Sequence, residues 1–528
     1  MRDSNPSNPI AAASLKEILG DGEELALVDV REELIFSRNH LLWARSVPLS
    51  RLELRFAQLV PRRTTRIVLC DDNDGLAQRA ADILAHAGYS DVAHLDGGVA
   101  AWADADFELF SGMHVPSKAF GEFIEHETKT PSISADELHR LQQNGAKLAV
   151  LDSRPFDEYT RISIPGGINV PGAELVLRVH DIAPSPDTLV VVNCAGRTRS
   201  IIGAQSLINA GVPNKVVALR NGTMGWHLAG LKVDKGKSVR APDVTDKGGA
   251  WAKAKTDAIA RRFGIEKIDR DMLDRWRGDK SRTLYIFDVR DPSEYEAGHV
   301  PGAISAPGGQ LVQATDIYAG TLGARVVLCD EKEVRAVMTA SWLKQMGWND
   351  VVVLAERGTE TGFPPADIIG TPSPASIDSS ALTTSLARGQ VTVLDLSRSP
   401  EYHKGHIPGA WFAIRSRLKE ALAKVPAPRE LVLTSEDGTL ASLAVNDAQA
   451  LAKCPVRWLK GGNAAWSAAG HPLSQEPRMA DEPIDVWLKP YERPGEQKDA
   501  MNEYLSWEVD LLTRIERDGT CNFTTRPF

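Results

Sequence analysis

The stretch YIFDVRDPSEYEAGHVPGA, residues 285–303, decides the fold, because its two halves recur along the chain. The first half is a short apolar strand that ends in an aspartate, and it recurs as ALVDVRE (26–32), AVLDSRP (149–155) and TVLDLSR (392–398). Eleven residues after the aspartates come, in chain order, His40, Ser163, His299 and His406. Three of the copies then place a Pro-Gly turn at a fixed distance. Landmarks repeated in one order predict tandem repeats.

Each repeat continues in the same way after this turn. A second apolar strand follows, as RIVLC, LVVVN, RVVLC and ELVLT, and then a polar loop and a segment of helical periodicity that ends near a glycine. A third strand leads into LDGGVAAW, LRNGTMGW and LKGGNAAW, whereas the third copy reads LAERGTETG and lacks the tryptophan. Strands that alternate with helices predict an α/β fold of four tandem domains, each a small parallel sheet with helices on both faces.

The D-x-R, G-H-x-P-G-A and G-G-x-x-x-W landmarks, in this order, resemble the rhodanese family over about residues 12–474. The layout is similar to that of the four-domain bacterial thiosulfate sulfurtransferases. The resemblance implies rhodanese-like domains over residues 1–115, 130–232, 255–365 and 376–474, with linkers near 112–132, 233–256 and 364–378 and a helical tail over 475–528. By analogy with two-domain relatives, repeat one is expected to pack over repeat two, and repeats three and four to form a second pair.

In rhodanese-like domains, a nucleophilic cysteine opens the loop between the second strand and its helix. The aligned positions in the four copies are Asp71, Cys194, Asp330 and Ser435. Cys70 and Cys329 fall one residue earlier, at the strand end, where side chains tend to point into the fold. The alignment therefore predicts that repeat two is catalytic and that repeats one, three and four are inactive.

The loop that begins at Cys194 reads CAGRTRS, whereas the equivalent loops DDNDGL, DEKEVR and SEDGTL are mostly acidic. A thiolate ahead of a helix N-terminus is favoured by the helix dipole, and two arginines add positive charge for an anionic donor. The glycine is expected to let the backbone curl so that successive N–H groups converge on one point. The predicted substrate-binding residues are Ala195, Gly196, Arg197, Thr198, Arg199 and Ser200.

Asp152 and Arg154 are predicted to support this site structurally, with Arg154 paired to Glu158. The histidines that follow the aspartates lie in separate repeats and are absent from repeat two, so we interpret them as turn-stabilising residues. Five scattered cysteines without a C-x-x-C pair fit neither a zinc site nor a disulfide framework. The sequence therefore predicts no metal and no cofactor.

The resemblance implies a sulfurtransferase that moves a sulfane sulfur through a Cys194 persulfide to a thiol or cyanide acceptor. Mercaptopyruvate-using relatives have a loop without arginine, so the cationic loop here favours thiosulfate as the donor. One alternative is a persulfide carrier or scaffold that delivers sulfur to a protein partner. Another is a phosphatase or arsenate reductase, whose C-x5-R loop requires an arginine where this chain has Ser200.

The composition restricts the partners of the protein. The chain has 528 residues and a formal net charge of −9, without a long basic run, which argues against nucleic acid. No stretch reaches the roughly 18 apolar residues of a membrane helix, and the N-terminus lacks the pattern of a signal peptide. We predict a cytoplasmic protein with small-molecule partners, no membrane partner and a possible homodimeric state.

Overall fold

The computed structural model describes residues 7–427, 429–495 and 497–527. These residues form four parallel sheets, one in each repeat, which confirms the predicted architecture of four α/β domains. Each repeat contributes five equivalent strands, and their order across the sheet is first, fifth, fourth, second, third. The second strand ends at the motif aspartate, and the fourth leads directly into the loop that contains Cys194 in repeat two.

Repeats one and four have matching elements. The strands of repeat one are Asn8–Ile10, Leu25–Asp29, Arg45–Ser46, Ile67–Cys70 and Val92–Leu95. Its helices are Ala12–Ile18, Glu33–Phe36, Leu49–Arg51, Leu52–Leu59, Leu76–His86 and Gly98–Asp104. The strands of repeat four are Ser376–Ile377, Val391–Asp395, Trp411–Phe412, Glu430–Thr434 and Val456–Leu459. Its helices are Ser379–Ala387, Ser399–Lys404, Arg415–Arg417, Leu418–Lys424, Thr439–Leu451 and Gly462–Ala468.

Repeats two and three follow the same plan. The strands of repeat two are Ser132–Ile133, Leu148–Asp152, Gly167–Asn169, Leu189–Asn193 and Val216–Leu219. Its helices are Ala135–Gln143, Phe156–Arg161, Gly172–Glu174, Leu175–Ile182, Thr198–Asn209 and Gly222–Leu228. The five equivalent strands of repeat three are Glu266–Ile268, Leu284–Asp288, Ile304–Ser305, Arg325–Cys329 and Val351–Leu354, and a short extra strand, Thr321–Leu322, lies outside this order. Its helices are Arg270–Gly278, Pro292–Ala297, Gly308–Gln313, Thr315–Ile317 and Val334–Gln345.

The D-x-R motif closes its strand with a buried ion pair. In repeat two, Arg154 donates from Nε and from a terminal nitrogen to the two carboxylate oxygens of Asp152, at 2.9 and 2.7 Å. Arg31 and Arg290 bind the motif aspartates of repeats one and three in the same way. Such a buried ion pair is tolerated because the facing guanidinium donates hydrogen bonds to both oxygens of each carboxylate. The motif therefore stabilises the end of the strand through a buried ion pair, which is the kind of structural role that the sequence predicts for Asp152 and Arg154.

Two of the predicted linkers contain long helices, so their interpretation as plain linkers is wrong. Residues 112–132 include the helix Val115–Thr128, and residues 233–256 lead into the helix Asp246–Arg262. The first begins with a proline in its first turn, and the second with Thr245, whose side chain accepts a hydrogen bond from the backbone of Gly248. Both are ordinary helix-start signals. These two helices were not predicted because the linkers are rich in small and charged residues.

The predicted pairing of the repeats is also wrong. The chain divides into two compact units, one built mainly from repeats one and four and the other from repeats two and three with the C-terminal tail. In the second unit one continuous apolar core crosses both repeats. The helices Thr198–Asn209 and Val334–Gln345 are buried on almost every side, and a helix apolar all round must be covered on more than one face. The first helix therefore covers repeat three, and the second covers repeat two.

The unit of repeats one and four contains a buried carboxyl that responds to pH. Burial raises the pKa of Glu32 to about 7, although the hydroxyls of Ser50 and Ser416 donate hydrogen bonds to it. Asp485 adds to this rise and Arg51 opposes it. Between the usual carboxyl pKa of 4.5 and about 7, the folded form therefore holds a proton that the unfolded chain has released.

We expect this unit to lose stability as the pH rises from about 4.5 through about 7, by about 3 kcal/mol in total. Glu32→Gln should remove this part of the pH dependence. Thermal unfolding of the full chain at several pH values measures it, with Glu482→Gln, an exposed glutamate of the same unit, as the matched control. An unchanged slope in Glu32→Gln would contradict the assignment.

Candidate active site

Cys194 lies between the end of the strand Leu189–Asn193 and the start of the helix Thr198–Asn209. The helix begins at Thr198, so that it starts inside the loop. The thiol is only 2% exposed, and its Sγ lies 3.5 Å from the Ser200 hydroxyl oxygen. That hydroxyl donates to the carbonyl of Arg197 at 2.8 Å. The predicted nucleophile is thus held just before the N-terminus of a buried helix.

The equivalent loops of repeats one and three show what this backbone geometry binds. In repeat three, the Asp330 carboxylate accepts hydrogen bonds from the backbone N–H groups two, five and six residues later, at 3.2, 2.8 and 3.4 Å. In repeat one, Asp71 accepts from the N–H groups two and six residues later, both at 2.9 Å. The loop is therefore an anion cradle, which these two repeats fill with their own carboxylates. The corresponding N–H groups after Cys194 belong to Gly196, Arg199 and Ser200.

Residues at the start of the helix Gly222–Leu228 hold the Cys194 loop by hydrogen bonds. Thr223 donates to the carbonyl of Cys194 from its backbone N–H at 2.8 Å and from its hydroxyl at 3.0 Å. The N–H of Met224 donates to the carbonyl of Ala195 at 2.9 Å. Gly222 has a φ of +53°, and a Cβ at this position would lie 2.3 Å from the Cys194 carbonyl oxygen. The glycine-containing turn of the repeat thus allows two loops to touch.

We expect Gly222→Ala to displace the Cys194 loop, since the added methyl group overlaps the carbonyl that Thr223 holds. The variant should lose about 1–3 kcal/mol of stability from strain and clash, and about a hundredfold in the rate of reaction of the Cys194 thiol. Gly230→Ala is the matched control, because Gly230 has a φ of +74° but open space around the added Cβ. Equal effects of the two substitutions would contradict the proposed contact.

Both arginines of the loop are bound by carboxylates. Arg197 donates to the two oxygens of Glu122 at 2.8 and 2.7 Å and also contacts Glu125. Arg199 binds Glu158 at 2.8 Å and donates to Gln310 at 3.0 Å. A nearly buried guanidinium needs such a counter-ion to offset its desolvation. The positive charge that the sequence predicts is present, but each arginine shares it with a partner and neither faces open solvent.

The predicted ion pair between Arg154 and Glu158 is wrong. Arg154 is saturated by Asp152 and by the carbonyl of Ile162, at 2.6 Å. Glu158 turns instead to Arg199 and to Lys489, whose ammonium lies 3.4 Å away. Burial would raise the pKa of Glu158, but these two cations outweigh it and hold the pKa below its usual range. Glu158 is thus an ionised partner of the loop arginine.

Gly196 does not adopt the left-handed backbone conformation that its predicted role suggests, since its φ is not positive. Its lack of a side chain serves a different purpose. A Cβ at this position would lie 2.8 Å from the terminal methyl of Met224 and 3.2 Å from a carboxyl oxygen of Glu508. The glycine keeps the middle of the loop thin, so that a second segment of the chain approaches it.

That segment is the C-terminal tail, which the sequence predicts to be a helix packed on a domain. The helix Gln497–Asp518 packs on the helix Val115–Thr128, confirming that part of the prediction. Met501 and Leu505 join Met224 in one apolar cluster beside the loop. The tail therefore covers the Cys194 site, a role that the sequence analysis did not predict. The sequence feature that could have indicated this role is a carboxylate, Glu508, in the middle of the apolar stripe of the tail helix.

A cleft of about 410 Å³ lies between repeats two and three. It is lined by equivalent segments of the two repeats and includes Ser153 and Gln310, the latter a partner of Arg199. Cys194 is not among its lining residues.

The other sequence candidates have structural roles. The three repeat histidines stack on aromatic rings at 3.8–3.9 Å between ring centroids: His40 on Phe36, His299 on Tyr295 and His406 on Tyr402. Each also hydrogen-bonds a backbone carbonyl. These contacts confirm their interpretation as turn-stabilising residues. Cys70 and Cys329 are fully buried, and burial raises the pKa of both thiols. In the described part of the chain, no group of three or more His, Cys, Asp or Glu side chains could hold a metal ion. Among the helices that the structure describes, none is both long and apolar enough to cross a membrane.

Four sheets of one topology, with a loop before a helix that binds a carboxylate in repeats one and three and holds a thiol in repeat two, define a class of protein that sequence comparison also finds. The profile of the rhodanese-like domain family matches residues 11–105, 134–229, 269–360 and 379–469, so the chain belongs to this family and its predicted membership is confirmed. Each matched range lies inside the corresponding predicted domain.

Among solved structures, the chain is similar to a thiosulfate sulfurtransferase from Pseudomonas aeruginosa. The two are 47% identical with a TM-score of 0.96, over 98% of this chain and all of the other. Among curated proteins, it is 34% identical to the HTH-type transcriptional regulator Rv0324 of Mycobacterium tuberculosis over 20% of this chain. It is 33% identical over 18% of the chain to the probable adenylyltransferase/sulfurtransferase MoeZ of the same species. The chain spans 46% and 24% of the lengths of these two relatives.

Proposed function

We propose that this protein is a thiosulfate sulfurtransferase that carries sulfur as a persulfide on Cys194. The observation that supports this proposal is the contrast between the equivalent loops of the repeats. In repeats one and three the cradle is filled by a carboxylate of the chain itself, whereas repeat two presents a thiol at that position. The likeness of the whole chain to the Pseudomonas enzyme supports the same reaction and the same donor.

The reaction needs two displacements at sulfur. The Cys194 thiolate attacks the sulfane sulfur of thiosulfate, a new S–S bond forms, and sulfite leaves with the electron pair of the broken bond. The terminal sulfur of the persulfide carries negative charge, which the N–H groups of Gly196 and Arg199 stabilise, whereas the N–H of Ser200 donates to the carbonyl of Arg197 at 3.1 Å. A thiolate or cyanide then attacks that sulfur, giving a persulfide or thiocyanate, and the Cys194 thiolate leaves.

Repeat two has all the groups for this chemistry, so we propose that it is the catalytic domain and that the other three are inactive. Asp71 and Asp330 already occupy their own cradles, and Ser435 accepts a hydrogen bond at 3.3 Å from the N–H of Ala441. We further propose that the protein works in the cytoplasm with small-molecule donors and acceptors. A protein acceptor would make it a carrier, and turnover that depends on such a partner distinguishes the two.

The test is direct loading with sulfur. Purified full-length protein is incubated with thiosulfate, freed of excess donor, and analysed by intact mass and by peptide mapping. We expect a gain of one sulfur atom per chain, located on the peptide that contains Cys194. An adduct on the peptides of Cys70 or Cys329, or no adduct, would contradict the proposal. Release of the sulfur by cyanide as thiocyanate tests the second displacement.

A further inference from the structure

Glu508 is a buried carboxyl that the mechanism above does not use. It lies on the covered face of the tail helix with Met501, Leu505, Leu511 and Ile515, and none of its side chain is exposed. A polar group in an apolar stripe is unfavourable unless it finds partners. Its position against the Cys194 loop therefore calls for an explanation beyond packing.

The two oxygens of Glu508 have different surroundings. Oε1 accepts hydrogen bonds from the Tyr504 hydroxyl at 3.1 Å and the Thr198 hydroxyl at 3.4 Å, and the Lys118 ammonium lies 3.4 Å away. Oε2 is buried and has no hydrogen-bond partner among the described residues. It points at the loop through the space that Gly196 leaves, 3.2 Å from where a Cβ would stand. One oxygen has three partners, and the other lies unpaired against the loop at Gly196.

The burial of Glu508 favours its neutral form. Burial raises the pKa of Glu508 above its usual value, and Glu122 adds to this rise. Lys118, Arg197 and the Tyr504 hydroxyl oppose it without reversing it. Because three donors crowd Oε1, the proton of the neutral carboxyl belongs on Oε2. A protonated carboxyl is a hydrogen-bond donor, so the oxygen that faces the loop carries a donor.

We propose that Glu508 is a substrate-binding residue of the Cys194 site, whose Oε2–H donates a hydrogen bond to the anionic sulfur donor held by the loop. This inference rests on the proposed sulfurtransferase function and adds a group from outside the repeat to its site. When Glu508 loses its proton, a carboxylate faces the donor anion in a buried space, and the two repel each other. Sulfur uptake therefore falls as Glu508 ionises.

The experiment measures the rate of sulfur uptake from thiosulfate, by quenching and intact mass, from about pH 5 to about pH 9. The full-length proteins compared are wild type, Glu508→Gln, Glu508→Ala and Glu503→Gln. Glutamine keeps an N–H donor but does not ionise, and alanine removes the donor. Glu503 is an exposed glutamate of the same helix and serves as the matched control. Thermal unfolding shows whether each variant is folded.

We expect wild type and Glu503→Gln to share a decline in uptake with rising pH that Glu508→Gln lacks. Glu508→Ala should load at least about tenfold more slowly than wild type at acidic pH. If Glu508→Ala does not fold, the comparison of Glu508→Gln with wild type decides alone. A wild-type decline retained in Glu508→Gln would overturn this inference and leave Cys194 loading intact. No loading of wild type at any pH would overturn the proposed function, and this inference with it.

Discussion

Replacing Cys194 by serine is expected to abolish sulfur transfer, lowering its rate by at least about a thousandfold. A hydroxyl at this position is a far weaker nucleophile than a thiolate and cannot form a persulfide. The fold should be unaffected, because a serine hydroxyl can keep the contact with Ser200 that the thiol makes at 3.5 Å. Thiocyanate production from thiosulfate and cyanide measures the loss, and thermal unfolding shows that the variant remains folded.

Cys70→Ala and Cys329→Ala are the matched controls for this loss. Both cysteines end the strand that leads into their loop, both are fully buried, and burial raises the pKa of each thiol, which keeps it protonated. Their removal should leave the rate of sulfur transfer unchanged. Residual activity in Cys194→Ser that disappears on removing either of these cysteines would transfer the catalytic role to another repeat.

The largest effect on stability is expected for Arg335→Met. Arg335 is fully buried between repeats two and three and binds Asp330 at 2.8 Å, Glu174 at 2.9 Å and Glu294 at 2.5 Å. Methionine fills much of the same space but leaves these carboxylates without their cation. Removing one partner from a buried ion network costs about 3–5 kcal/mol, and we expect a loss of this size in the unfolding free energy of this unit.

The pH dependence of this loss separates charge from packing. Burial would raise the pKa of Glu174, but Arg335 and Arg178 outweigh it and hold the pKa below its usual value. The stability that this carboxylate contributes is therefore present above its unfolded pKa and lost as the pH falls. The difference between wild type and Arg335→Met should shrink in acid, as measured by urea unfolding at several pH values.

Two further variants complete this test. Arg178→Met removes a partly exposed partner of the same Glu174 and should cost about 1 kcal/mol or less. Adding Asp330→Asn to Arg335→Met should recover part of the loss, because it removes one of the unpaired buried charges. A loss that is independent of pH and insensitive to Asp330→Asn would point to packing alone.

The elements that the sequence predicts well are those in which local pattern and structure coincide. The motif strands end at the predicted aspartates, as in Leu148–Asp152 and Leu284–Asp288, because a run of apolar residues before a D-x-R pair leaves little choice of conformation. Cys194 lies in the predicted loop for the same reason. In repeat three, which lacks the tryptophan motif, residues 354–362 are all described and contain no helix.

The parts that could not be predicted depend on contacts between distant residues. The helix Val115–Thr128 contains Gly121, which in the sequence resembles a helix breaker, but Thr198 packs against it so closely that a Cβ there would meet the threonine methyl at 2.8 Å. Such a contact joins two residues that are 77 positions apart in the chain, so it leaves no local pattern. The pairing of repeats two and three, and the tail over the Cys194 loop, are of the same kind.

The cover over Cys194 also fixes the order in which the site can be completed during synthesis. Thr198 and its partner Glu508 are 310 residues apart in the chain, with repeats three and four between them. At a translation rate of about 5–20 residues per second, the ribosome needs about 15–60 s to make that interval. A nascent chain whose second repeat has folded therefore presents an uncovered Cys194 loop to the cell until the tail emerges.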